Sequence, residues 1–312
     1  MSITTRSLFK SYGDLAAVDG IDLDIGAGKV FGFLGPNGAG KSTTIKLLTT
    51  LIPPTSGSIE ILGINAIKHP LDVRKKIGVV LQQPSYEPNL SVEKSLEKYG
   101  MMWDVDRKTR KERTEELIGV FELNEIRKKK NEDLSIGQRR RVQVAREFMH
   151  EMDLLFLDEP TVGLDPSARR NLMDYLKGKA KSGLTIFYTT HVLTEAEYLC
   201  DEIAVINKGK ILAVDTPDQL KSTFGQEKTI KIHLSDRHDN LKSLLLGITG
   251  CTIDFNTGTD IIIQSSKAEL VLSQVLSVLI ENNIPVEDLS AMPTTLEEIF
   301  LKMVKETNAP DN

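Results

Sequence analysis

The segment Gly35-Pro36-Asn37-Gly38-Ala39-Gly40-Lys41-Ser42 has glycine at its first and sixth positions and a Lys-Ser pair at its end. That spacing suits a loop whose backbone N–H groups close around phosphate oxygens, with a helix N-terminus adding partial positive charge. Lys41 would then reach the β- and γ-phosphates of a nucleotide, and the Ser42 hydroxyl would ligate Mg2+. A second run, Leu154-Leu155-Phe156-Leu157, ends in Asp158-Glu159. At the carboxyl edge of a parallel sheet the two acids would face the same crevice. There Asp158 suits the Mg2+ shell, and Glu159 could polarise an attacking water. A third group, Leu134-Ser135-Ile136-Gly137-Gln138, precedes an arginine-rich stretch, Arg139-Arg140-Arg141. A Ser and a Gly at a helix start can offer a hydroxyl and backbone N–H groups to phosphate.

These residues need elements to hold them. Ala17-Val18 and Ile21–Ile25 alternate like a strand, and Val30-Phe31-Gly32-Phe33-Leu34 is apolar enough for a strand buried on both faces. After the glycine-rich turn, Ile45, Leu48 and Leu51 recur at helical spacing, which predicts a helix over Ser42–Leu51 stopped by Pro53-Pro54. Further strand-like runs fall at Ile77–Leu81, Leu154–Leu157, Thr185–Thr189, Ile203–Ile206 and Lys210–Val214, with helical patterns between several of them. The alternation points to an α/β core. Residues from about 88 to 150 are charged and helix-rich, with Val92, Leu96, Tyr99 and Trp103 on one face, and read as a helical insertion. Beyond residue 224 the order is strand (Lys228–Leu234), helix (Asn240–Leu246), two strands (Cys251–Phe255, Asp260–Gln264), helix (Ala268–Glu281) and strand (Ile284–Leu289). That β-α-β-β-α-β order is the split-βαβ, ferredoxin-like arrangement. Leu270, Val271, Val275 and Leu279 would cover its sheet, and Thr294 with Glu297 has capping-box spacing before a last helix.

Taken in chain order, the motifs resemble those of the nucleotide-binding subunit of an ATP-binding cassette (ABC) transporter, over roughly residues 2–222. Tyr12, the Walker A loop 35–42, Gln82, the signature 134–138, the Walker B strand 154–159, Gly163-Leu164-Asp165 as the D-loop, and His191 stand in family order. The resemblance implies an ABC-type P-loop NTPase domain over residues 1–224, with the helical insertion as its subdomain, and the element order beyond it reads as a small α+β ferredoxin-like domain over 225–312. It implies ATP and Mg2+ as ligands. Tyr12 would stack on adenine, and Gly35, Pro36, Asn37, Gly38, Ala39, Gly40, Lys41, Ser42 and Thr43 would cradle the phosphates. Ser42, Gln82 and Asp158 would serve the metal. Glu159, His191 and Gln82 would act in hydrolysis, with Gln82 also linking catalysis to a transmembrane partner. Ser135, Gly137, Gln138 and Asp165 would complete the site of a second copy, or of a related ATPase subunit. The usual third signature glycine is Ile136 here, which leaves Ser135 and Gly137 in place. Residues 154–166, 215–220 and 294–301 resemble the drug-resistance and daunorubicin-exporter-like branch, whose members pair with separate ABC-2-type permease subunits. An exporter of drugs, lipids or other hydrophobic compounds is therefore expected, cytoplasmic and held at the cytoplasmic face of the membrane through its permease.

The whole-chain arithmetic excludes other classes. With 312 residues, 40% apolar and 27% charged, the chain is long and apolar enough for two folded domains. A net charge of −5 gives no reason to expect nucleic acid as a partner. Outside glycine-interrupted runs no apolar stretch exceeds four residues, against about 20 for a spanning helix. Cys200 and Cys251 are isolated, and the histidines form no metal-binding pattern. Two charge runs, Arg107–Lys111 and Arg127–Lys130, read as solvated helix faces, with contact to anionic lipid as the alternative. A soluble, non-transport ABC ATPase is the alternative function, and a non-hydrolysing regulatory module is a third; Glu159 and His191 weigh against the latter.

Overall fold

The computed structural model describes residues 1–83, 85–224, 228–238, 240–256, 259–293 and 295–308. It divides into two compact units, Met1–Thr216 and Pro217–Asn312. In the first, the chain runs β1 (Ile3–Tyr12), β2 (Leu15–Ile25), β3 (Val30–Leu34), α1 (Lys41–Leu48), β4 (Ser56–Ile61), β5 (Ile64–Asn65), α2 (Pro70–Arg74) and β6 (Ile77–Val80). Three helices follow: α3 (Val92–Met102), α4 (Arg107–Val120) and α5 (Ile136–Glu147). The unit closes with β7 (Leu154–Asp158), α6 (Pro166–Lys181), β8 (Thr185–Thr190), α7 (Leu193–Leu199), β9 (Glu202–Asn207) and β10 (Lys210–Asp215).

Six strands form the main sheet in the order β10-β9-β3-β8-β7-β6. All neighbours are parallel except the β10–β9 pair at one edge. Central strands β3, β7 and β8 are buried along their whole length, as strands covered on both faces must be. Phe31, Phe33 and Phe156 gather around Phe187 with ring centroids 5.3–5.8 Å away. A second, antiparallel sheet, β2-β1-β4-β5, adds Ile3, Leu8, Ile21 and Ile25 to the same core. Strands β1 and β4 carry weak sequence signals for a physical reason. Ser7 sits at φ 46 inside a register shift of β1, and Gly57 of β4 packs where a Cβ would lie 2.4 Å from the Ser7 carbonyl oxygen. The bulge breaks the alternation that a sequence reading depends on.

Helix α1 stops at Leu48, three residues short of the expected end. Thr49 bonds its hydroxyl back to the Ile45 carbonyl, and Thr50 turns left-handed at φ 60, so the helix ends before the prolines are reached. In the helical region, Val92 and Leu96 are fully buried, and Trp103 stacks on His150 at 3.9 Å. Arg127 does not lie on a free face: it ties α3 to α4 through Glu93 and Glu115, both at 2.6 Å.

The second unit runs α8 (Pro217–Phe224), β11 (Lys228–Leu234), α9 (Leu241–Leu245), β12 (Thr252–Asn256), β13 (Asp260–Ser265), α10 (Ala268–Glu281), β14 (Val286–Pro293) and α11 (Leu296–Asn308). Its antiparallel sheet has the order β12-β13-β11-β14. Numbered within the unit this is 2-3-1-4, the split-βαβ topology. Ile230, Ile232, Ile261 and Ile263 meet Val271, Val275 and Leu279 in its core. Leu270 is exposed rather than on that face. The boundary falls at Thr216 rather than after residue 224, because α8 lies against α11. The capping pair is one residue later than the sequence spacing suggested: Thr295 and Glu298 exchange backbone-to-side-chain hydrogen bonds. Thr294 and the expected linker residues Gly225 and Gln226 lie outside the described residues.

Central packing leaves no room at Gly32 of β3, where a Cβ would lie 2.8 Å from Cys200 Sγ and 3.2 Å from Ile203. Gly32→Ala is expected to destabilise the fold by about 1–3 kcal/mol, the usual cost of overpacking a core. Chemical denaturation measures it; an unchanged midpoint would contradict the tight packing.

Candidate active site

Four strand ends meet at the carboxyl edge of the parallel sheet. Register pairs Leu34 with Thr190 and Asp158 with Thr189, so the segments after β3, β7 and β8 emerge side by side. Strand β6 pairs with β7 and delivers Gln82 to the same edge. This arrangement brings together Gly35–Thr43, Gln82, Asp158, Glu159 and His191.

The loop after β3 depends on its glycines. A Cβ on Gly35 would lie 2.5 Å from the Ile206 carbonyl oxygen, and one on Gly40 would lie 2.4 Å from that of Ala17. Gly40 also takes φ 108 as the residue that opens α1. The loop is closed by Ala39 N–H donating to Pro36 O at 3.2 Å and anchored by Gly209 N–H donating to Ala39 O at 2.9 Å. Asn37 and Gly38 are exposed at its tip, while Ser42 and Thr43 are half-buried. Lys41 is 5% exposed and folds back on the loop, donating to Gly35 O at 2.7 Å and Pro36 O at 3.2 Å. Burial pushes its pKa down, and the neighbouring Glu159 and Asp158 carboxylates oppose that shift.

Asp158 accepts a 2.6 Å hydrogen bond from the Thr189 hydroxyl. Glu159 is only 7% exposed and sits in left-handed backbone at φ 48. Its N–H donates to both the carbonyl and the hydroxyl oxygen of Thr189 at 3.1 Å. Around its carboxylate, Gln82 Nε2 donates to Oε2 at 3.2 Å, His191 Nδ1 lies 3.1 Å from Oε1, and Lys41 Nζ lies 3.8 Å from Oε1. Gln82, not Gln83, therefore faces the glutamate; Gln83 offers its backbone carbonyl to Gln143. The carboxylate is thus held by an amide and an imidazole beside the ammonium of a phosphate-type loop, an arrangement able to take a proton from water.

Other expected residues lie apart from that cluster. Tyr12 is half exposed at the end of β1, with Lys10 Nζ 5.3 Å above its ring. Ser135 and Gln138 form a capping box at the start of α5, at 3.2 and 3.0 Å. Gly137 packs so tightly on the D-loop that a Cβ would lie 2.3 Å from Gly163 O. Asp165 caps α6 by accepting from Ala168 N–H, and that bond holds its pKa below the usual carboxylate range. Ile136 points outward, with two thirds of its surface exposed.

The sequence reading missed Thr189, Glu195 and Arg140. Thr189 could have been found from the parallel pairing that sets it opposite Asp158. Glu195, at the start of α7, gathers the hydroxyls of Thr161, Tyr188 and Thr190 on one oxygen at 2.8–3.0 Å, which links the segment leading into the D-loop to the His191 turn. Arg140 gave no distinct signal, because three consecutive arginines look alike in sequence.

Residues 18–162 match the family model described as ABC transporter. The chain is 34% identical to the daunorubicin resistance ATP-binding protein DrrA3 of Streptomyces coeruleorubidus, over 97% of this chain and 95% of that one. It is 32% identical to the linearmycin resistance ATP-binding protein LnrL of Bacillus subtilis (strain 168), over 98% of this chain and 99% of the relative. Among solved structures it is similar to the dimeric, post-hydrolysis ATP-binding cassette MJ0796 bound to ADP and Pi. The TM-score there is 0.64 with 26% identity, covering 69% of this chain and 98% of that one. With the phosphate-type loop, the buried glutamate and the capped signature helix all in family order on that fold, the chain belongs to the ATP-binding subunits of ABC transporters and resembles those of drug resistance.

Proposed function

We propose that this chain hydrolyses ATP to drive an ABC-2-type exporter of drugs, lipids or other hydrophobic compounds, closing as a dimer around two ATP. The observation that carries the reading is the Glu159 carboxylate, nearly buried, held by Gln82 and His191 and 3.8 Å from Lys41. In this reading Gly35–Thr43 bind the phosphates through backbone N–H groups, and Lys41 leaves its loop carbonyls for the β- and γ-phosphates. Tyr12 stacks on adenine. Glu159 takes the proton of the attacking water, while Gln82 and His191 fix the carboxylate's orientation. Among the described residues no three His, Cys, Asp or Glu side chains are clustered to hold a metal. A Mg2+ ion at this edge fits instead the pattern of few protein oxygens plus substrate phosphates, with Ser42, Asp158 and Gln82 as the protein donors. Bound there, it would neutralise charge on the β- and γ-phosphates.

Two observations support a dimer. Ser135, Gly137 and Gln138 make their contacts with one another and with the D-loop rather than with loop 35–43. In this reading the start of α5 and Asp165 complete the site of a second copy, or of a related subunit. The similar MJ0796 cassette is itself dimeric. No helix among the described residues is long and apolar enough to cross a membrane; in this reading separate permease subunits carry the transport path. A cavity of about 520 Å³ runs from Leu51 and Val79 to Tyr99 and Trp103, past Gln83. We assign it to a cytoplasmic segment of the permease, which would hold the chain at the membrane and touch the strand end that carries Gln82. The second unit would serve coupling or regulation.

Two substitutions test the reading. Lys41→Ala is expected to weaken a labelled ATP analogue by about tenfold or more, since a buried charge-assisted partner of phosphate is lost; unchanged affinity would remove Lys41 from the site. Glu159→Gln should keep nucleotide affinity yet lose roughly 10²-fold or more in turnover. Sizing of this variant with Mg-ATP should show a dimer, and a monomer under those conditions would overturn the two-chain arrangement.

A further inference from the structure

Three adjacent arginines on α5 go three ways. Arg139 donates to the Tyr86 hydroxyl, and Arg141 to the carbonyls of Phe121 and Glu122. Arg140 turns inward and is 6% exposed. Its Nη1 donates to Leu81 O at 2.7 Å and to Gln143 Oε1 at 3.1 Å. Its Nη2 donates to Glu159 O at 3.0 Å, with Gln82 O at 3.3 Å and Asp158 O at 3.4 Å. One planar guanidinium therefore spans the ends of β6 and β7 from a helix that starts at the signature. Burial pushes its pKa down, and the Asp158 and Glu159 carboxylates act against that.

The peptide it grips is an unusual one. A residue with a side chain held at φ 48, as Glu159 is, is strained there and persists only where its neighbours over-determine it. Here Thr189 holds the N–H side and Arg140 the carbonyl side. The direction of the Glu159 carboxylate follows from that backbone, and so does its distance from Gln82, whose own carbonyl is on the same guanidinium.

We propose that Arg140 is a positioning residue for hydrolysis, fixing the peptides of Glu159 and Gln82 to the helix that carries Ser135 and Gly137. It acts through Glu159 and does not itself meet the nucleotide. The inference rests on the dimer reading above: the signature of one chain serves the partner's site, while Glu159 serves its own. Arg140 is then a direct mechanical link between the two sites within one chain, so seating of the signature at one ATP sets the general base at the other. A lysine cannot replace it, because a point charge lacks the fork needed to bridge both strand ends.

The test uses the full chain carrying Arg140→Lys, with thermal unfolding, ATP-analogue affinity, KM, kcat and the Hill coefficient for ATP measured together. Affinity should stay within about twofold, while kcat falls by about tenfold or more, as expected when a catalytic group is slightly misplaced. The Hill coefficient should fall towards one. Native kcat in the folded variant would overturn the proposal, as would loss of affinity in proportion to kcat, which marks general loosening. If Arg140→Lys does not fold, Gln143→Leu, which removes the side chain orienting Nη1, decides the question by the same readouts. There a kcat lowered at unchanged affinity supports the proposal, and a native kcat overturns it. Failure of the dimer reading is separately visible, as a Glu159→Gln protein with native Arg140 that stays monomeric in Mg-ATP.

Discussion

Four ionisable groups share the water-poor edge of one sheet: Lys41, Arg140, Asp158 and Glu159 are each at most 7% exposed. Two are cations and two are anions. Burial of this kind is tolerable only because each charge has an opposite neighbour or several hydrogen bonds, and removing one leaves another uncompensated. Lys41 spends its donors on its own loop's carbonyls and lies only 3.8 Å from Glu159. Arriving phosphates give that ammonium a stronger partner, in a place already lined by the N–H groups of α1. The site is thus neutral and closed on itself, and it gains most from a ligand that brings negative charge and its own divalent cation.

The fold makes that cluster possible through register. Parallel pairing puts the ends of β3, β8, β7 and β6 at one edge, so short turns after each strand suffice to converge their side chains. Close backbone approach does the rest. Gly35 and Gly40 let the loop sit against Ile206 and Ala17, and Gly137 lets the signature helix touch Gly163. Glu159 holds left-handed backbone without being glycine, fixed from both sides by Thr189 and Arg140. Strain at a group that must point at a reacting water is a familiar use of such conformations.

Much of this was legible in the sequence because it is local. The loop 35–42, the Asp158-Glu159 pair and the choice of Gln82 over Gln83 rest on short spacings next to apolar strands, and the β-α-β-β-α-β order of the second unit is a pattern of periods. What escaped is non-local. Thr189 matters only because β8 lies beside β7, Arg140 only because α5 returns over two strand ends, and β1 and β4 hide behind a bulge and a glycine. The early end of α1 and the shift from Thr294 to Thr295 are boundary effects, set by single residues that compete to cap a helix. Leu270 fails because it stands about 100° round the helix from Val271, whereas Ala268, Val271, Val275 and Leu279 share the buried face.

On nucleotide binding, Lys41 is expected to exchange its loop carbonyls for phosphate beside an unmoved Glu159. A crystal structure of the chain with Mg2+ and a non-hydrolysable ATP analogue tests it directly. Lys41 Nζ should lie within hydrogen-bond distance of the terminal phosphates and no longer on Gly35 O and Pro36 O, with Gln82 and His191 still on the Glu159 carboxylate. A nucleotide seated with Lys41 still bound to those carbonyls, or with its phosphates away from loop 35–42, would contradict it.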